Sequence, residues 1–173
     1  MTGLKFTVDP GDYEEDMDMD LDPPELAKFL SLKKAEEIAG RYKNALIIAA
    51  DTFIVFKGHF LGKPRDKADA RTMLTKLNGK THSVITGFTI IDTQTQKRLS
   101  RAVETKVTFK RLSQDEIAAY VRSGEPLDKA GAYAIQGLGS VIVKKIEGDY
   151  FNVIGLPLSL LVESLKKFGL YVL

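Results

Sequence analysis

Cysteine is absent from the 173 residues, which excludes disulfides, thiolate nucleophiles and thiolate-ligated metals. Its absence suits a reducing cytoplasm. Histidine is nearly absent as well: only His59, in an expected turn, and His82, at an expected strand start, and both read as structural. So few soft ligands disfavour a zinc site, and any catalytic metal would be Mg²⁺ or Mn²⁺ held by carboxylates and substrate phosphate. No apolar run approaches the roughly 18–20 residues that span a bilayer, and no signal-peptide core opens the chain, so no membrane association is expected. A net charge of +2 is too small to argue for a nucleic-acid groove. What remains is a hydrophobic content of 44% beside 28% charged residues, an ordinary globular balance. Residues 1–173 read as one domain, long enough to bury roughly 70% of its unfolded surface.

The order of elements points to an α/β domain. Leu4–Val8 alternates like a short strand, and an acidic stretch from Asp9 to Asp22 follows. Pro23-Pro24 opens a helix to about Arg41, with Leu26, Phe29, Leu30, Ile38 and Ala39 on its apolar face. Residues 45–56 form an apolar strand ending at a Lys57-Gly58 turn. Asp66 is an N-cap candidate for a helix that closes at Asn78-Gly79. Ser83–Asp92 and Arg101–Arg111 read as an antiparallel pair around the turn Thr93–Lys97. Ser113-Gln114-Asp115-Glu116 is a capping box for a helix ending at Ser123-Gly124. Ala130–Gly139 reads as a glycine-spaced loop, Val141–Ile146 as a strand, and Pro157–Gly169 as a final helix. Strands interleaved with helices predict a mixed β-sheet flanked by helices.

Five places carry residues suited to chemistry. Asp51 interrupts the apolar strand Ala45–Phe56, and an ionised aspartate is rarely buried unless it is paired or binds a metal. It either caps the following turn or serves as a metal ligand or base. Gly62-Lys63-Pro64 then sets a lysine between two backbone-restricting residues, a cation suited to phosphate. Lys34 shares the apolar face of the first helix between Leu30 and Ile38, so it either snorkels outward or turns inward to bind an anion. The acidic stretch is either a solvated loop or the source of one oxygen ligand for a divalent cation. Finally, Gly124–Gly139 combines glycines with Asp128, Lys129, Tyr133 and Gln136, but its spacing fits neither a Walker A loop nor a Rossmann fingerprint.

Taken together, these segments resemble the Maf family of nucleoside triphosphate pyrophosphatases. The resemblance runs through Ala50-Asp51-Thr52, Gly62-Lys63-Pro64, Leu77–His82, Ser123–Gly139 and Gly148–Pro157, in order and across the chain. It implies a fold of two lobes around a central cleft, frequently homodimeric, that is related to the inosine triphosphate pyrophosphatases. It also implies cleavage of a nucleoside triphosphate between the α and β phosphates, giving a monophosphate and pyrophosphate. The form Asp128-Lys129-Ala130-Gly131-Ala132-Tyr133-Ala134-Ile135-Gln136-Gly137 is similar to the branch acting on dTTP and UTP. By motif match, Asp51 takes the proton-acceptor role, Thr52 and Gln136 fall on specificity positions, and Lys34 and Lys63 match phosphate-binding lysines. Glu15 matches a carboxylate associated with the metal, which Asp51 would share.

The resemblance departs at the N-terminus. Family members begin with a strand and a Ser-Pro-Arg-Arg loop before a helix, whereas Met1-Thr2-Gly3-Leu4-Lys5-Phe6 aligns with the end of that helix and the next strand. The expectation is a shortened domain without about twenty residues, including an arginine fork suited to phosphate geometry. Two other readings stand beside the dTTP/UTP pyrophosphatase: a nucleotide-binding or regulatory protein without catalysis, and a pyrophosphatase acting on a different base.

Overall fold

A computed structural model describes residues 3–13 and 19–172. Its centre is a five-stranded sheet of order β2-β1-β3-β4-β5, built from β1 (Leu46–Phe56), β2 (His59–Leu61), β3 (Thr81–Asp92), β4 (Arg98–Phe109) and β5 (Val143–Glu147). The helices are α1 (Pro23–Ala39), α2 (Lys67–Leu77), α3 (Gln114–Arg122), α4 (Tyr150–Ile154) and α5 (Leu158–Lys166). None among the described residues is long and apolar enough to cross a membrane.

The sheet differs from the mixed sheet expected: every pairing among the described strands is antiparallel. The reason lies in one strand's position. β2 and β3, joined through α2, run parallel to each other, as a helical crossover suggests, but β1 lies between them and runs against both. Residues Leu4–Val8 also depart from expectation and form no strand. Phe6 and Val8 stand exposed, while Asp9 just beyond them accepts hydrogen bonds from Arg41 and Tyr42, both at 2.8 Å. Those polar contacts hold Asp9 beside the end of α1, while Leu4 packs into the cluster of Phe88, Ile90 and α5.

Local signals formed as read. Asp66 caps α2 by accepting from the Asp69 N–H, and Ser113 and Glu116 close a reciprocal capping box on α3. The β1–β2 hairpin turns through Lys57 and Gly58, both at positive φ, the twist that two-residue hairpins require. The glycine-spaced segment 130–139 folds as short 3₁₀ turns.

The strands alternate their side chains between two cores. On one face Phe53 and Ile85 pack with Leu26, Ala27 and Leu30 of α1. Truncating a side chain as buried as Leu30 costs about 2–5 kcal/mol. The buried stripe of α1 is Leu26, Ala27, Leu30, Ser31, Ala35 and Ile38, smaller than the expected face with Phe29 and Ala39. Those small residues let the helix approach the sheet. A Cβ on Gly87 of β3 would lie 2.1 Å from the Ala27 carbonyl oxygen, so only glycine admits the helix at this distance. The other sheet face carries two clusters. Ile54, Val84 and Val107 pack with α2 and α3, while Phe88 and Ile90 pack with Leu161 and Leu165 of α5.

Candidate active site

Between those two clusters, β1 turns successive side chains to opposite sides of the sheet. Asp51 pairs in register with Gly87, and Thr52 with Thr86. Asp51 therefore faces α1. It is 7% exposed, and its carboxylate accepts a hydrogen bond from the Lys34 ammonium at 2.5 Å. Ala27 and Lys34 are seven residues apart on one face of α1, so the close seating of Ala27 on Gly87 also carries the Lys34 stem to the sheet. Lys34 turns inward and pairs with Asp51.

Thr52 faces the opposite side, where a cavity of about 210 Å³ is lined by Thr52, Lys63, Asp128, Lys129, Tyr133, Gln136 and Ile154 among others. Three of the sequence-predicted residues, Thr52, Lys63 and Gln136, thus meet in one cavity. Asp51 and Lys34 sit across β1 from it. The two groups adjoin along the flank of β1 that β2 leaves uncovered, because β2 pairs only with Ile54–Phe56. Glu15 lies outside the described residues. A larger, more open depression of about 590 Å³ lies beside the β1–β2 turn, lined by Lys57, Lys80, Lys106 and Phe56. None of the five described candidate residues lines it, so the smaller cavity is the candidate site.

The loop that carries Gln136 is held by groups that sequence reasoning passed over. The Glu125 carboxylate accepts from the N–H of Leu138 at 2.9 Å, the N–H of Gly139 at 2.8 Å and the Tyr120 hydroxyl at 2.9 Å. Burial alone would raise its pKa, but these donors outweigh that and hold it below the usual glutamate range. Tyr120 in turn accepts from the Ala134 N–H at 3.1 Å. At the loop's other end, Gly131 donates to the Gly62 carbonyl at 2.9 Å, tying it to the strip that bears Lys63. Asp128 pairs with Lys129 at 2.7 Å, which with Lys63 nearby lowers its pKa.

A second unforeseen group lies beneath Thr52. Its hydroxyl is 2.9 Å from that of Thr86, which donates to the Asn152 carbonyl at 2.9 Å. Asn152 is fully buried on the short helix α4, which Asp149 caps; its side-chain amide donates to the Val84 carbonyl and to Thr105. The Asp149 cap was a readable signal for α4, but nothing in the sequence reveals that Thr86 stands opposite Thr52. His82 is structural, as expected. Its Nε2 lies 2.8 Å from the Tyr133 hydroxyl, and burial lowers its pKa to about 4.

Among the described residues no three His, Cys, Asp or Glu side chains converge to hold a metal. Asp51 offers a hard oxygen suited to Mg²⁺ or Mn²⁺, so among the described residues an ion here would need its other ligands from phosphate.

Relatives match nearly all of the chain. It is 45% identical over 169 residues to a protein of Syntrophus aciditrophicus named dTTP/UTP pyrophosphatase, covering 98% of this chain and 82% of that one. Proteins of the same name from Methanosarcina mazei and Methanococcoides burtonii are 44% and 46% identical, over 99% and 98% of this chain and 87% of theirs. A family profile described as Maf-like protein matches residues 1–168. The chain belongs to the Maf-like family.

Proposed function

We propose that the protein hydrolyses dTTP and UTP to the monophosphate and pyrophosphate. One observation carries the reading: the specificity candidates Thr52 and Gln136 share a cavity with Lys63, directly across one strand from buried Asp51 and its half-buried partner Lys34. Relatives at about 45% identity bear the name of that activity.

The base would sit in the cavity, where Gln136 offers both a donor and an acceptor to a pyrimidine edge. The phosphates would lie over the flank of β1. Asp51, oriented by Lys34, would accept a proton from the water that attacks the α-phosphorus, as the bond from that phosphorus to the bridging oxygen breaks and pyrophosphate leaves. Lys34 and Lys63 would offset the charge that moves onto the departing phosphates. A divalent cation held by Asp51, Glu15 and phosphate oxygens would supply further neutralisation of that charge.

The test is pyrophosphate release from dTTP, UTP, CTP, GTP and ITP with Mg²⁺. Release from dTTP and UTP above the others is expected. Asp51→Asn should keep the circular dichroism of the wild type and lose roughly 10²–10⁴-fold in turnover. Retained nucleotide binding without release from any triphosphate would overturn the catalytic reading, and release chiefly from ITP the base assignment.

A further inference from the structure

Gln136 cannot by itself decide between uracil and cytosine. It is exposed, no hydrogen bond within the described residues fixes its amide, and a half-turn of that amide exchanges donor for acceptor. The hydroxyl of Thr52 differs, because its surroundings settle where its proton goes. Thr86 is fully buried and has one hydroxyl proton, which it gives to the Asn152 carbonyl at 2.9 Å. That carbonyl can only accept. The 2.9 Å contact between the two threonine oxygens therefore needs the proton of Thr52. The other acceptor within reach of Thr52 is the Gly155 carbonyl at 3.5 Å, and a proton sent there is equally withdrawn from the cavity.

In either arrangement Thr52 presents only lone pairs to a bound base. We infer that Thr86 and the Asn152 carbonyl are positioning groups that make Thr52 an obligatory acceptor, so that the site selects pyrimidines carrying an imide N3–H and rejects cytosine. Uracil and thymine offer N3–H at that edge; cytosine offers a lone pair, which would face the lone pairs of Thr52. The 5-methyl group lies outside this contact, so both dTTP and UTP satisfy it. A site whose polar group is left facing the wrong partner discriminates far better than one that only fills space. The inference rests on the proposed function for its substrate, but its content is the direction of one hydrogen bond.

Removing the hydroxyl beneath Thr52 tests it. Thr86→Val keeps the shape and leaves the Thr52 proton only the long 3.5 Å contact to the Gly155 carbonyl, so it can turn toward the cavity, where it can meet cytosine N3. The ratio of kcat/KM for UTP over CTP should fall about tenfold, through a gain on CTP as well as a loss on UTP, while Thr86→Ser keeps the wild-type ratio. A merely structural role would lower both substrates together. Urea midpoints show whether each variant is folded. If Thr86→Val is not, Thr52→Val serves instead, and its ratio should drop by a similar factor through loss on UTP. An unchanged ratio in a folded Thr86→Val or in Thr52→Val overturns the inference. Should the wild type release no pyrophosphate, the proposed function fails, and the same ratio is then read from dissociation constants of UMP and CMP by calorimetry. Preference for UMP that Thr86→Val abolishes would uphold the positioning role; equal binding in the wild type would overturn it.

Discussion

At the scale of single residues, the site depends on positions that carry no chemistry of their own. Gly87 has no side chain, yet it decides whether α1 can lie close enough for Lys34 to meet Asp51. Gly87→Ala should force the helix and sheet apart and cost about 1–3 kcal/mol or more. A fall in the urea midpoint together with loss of activity checks this; a stable, inactive variant would separate the two effects. His82 makes a different prediction. In the unfolded chain it takes up a proton near pH 6.5, but in its buried place beside Phe109 and Tyr133 only near pH 4. Between those values the unfolded state binds more protons, so stability falls as pH is lowered through that window and is unaffected above it. Each pH unit is worth at most about 1.4 kcal/mol, roughly 1–3 kcal/mol over the window. Denaturation at pH 7 and pH 5 should show the loss in the wild type, and His82→Phe, which suits the aromatic cluster, should remove it.

Among elements, the readable ones were those whose signals are local. The caps at Asp66 and Ser113, the Lys57-Gly58 turn and the β3–β4 hairpin each depend on residues a few positions apart. What required the whole sheet was not readable: that β1 inserts between β2 and β3, that Leu4–Val8 finds no partner, and that Ala27, Ser31 and Ala35 form the buried side of α1. Candidate residues divide in the same way. Asp51 announced itself because a carboxylate in an apolar strand is costly. Thr86 and Glu125 did not, since a buried threonine looks like any strand residue and Glu125 acts only through the loop it anchors. Because Glu125 holds the two amides just past Gln136, Glu125→Ala should loosen that loop more than the domain. KM for UTP should rise about tenfold with a small change in melting temperature. An unchanged KM would mean that the loop holds its shape without this carboxylate.

For the molecule as a whole, the sheet is the partition on which the proposed reaction is laid out. Its α1 face holds the Asp51–Lys34 pair, its other face the cavity with Thr52 and Gln136, and one step along β1, a rise of about 3.3 Å, separates them. On the proposed function, a nucleoside monophosphate seated in the cavity would be held almost entirely on one side, whereas a triphosphate would reach across the strand. The two ligands should therefore stabilise the fold through different residues. A ligand at a hundred times its Kd adds about 2.7 kcal/mol to folding stability, well within reach of a thermal melt. In the wild type, UTP without divalent cation should raise the melting temperature more than UMP at equal concentration. Lys34→Gln, compared with its own unliganded state, should lose the extra shift from UTP and keep the shift from UMP. Thr52→Val should lower both. If Lys34→Gln weakened the two ligands equally, the triphosphate would not cross β1, and the Asp51–Lys34 pair would have to serve the cavity by another path.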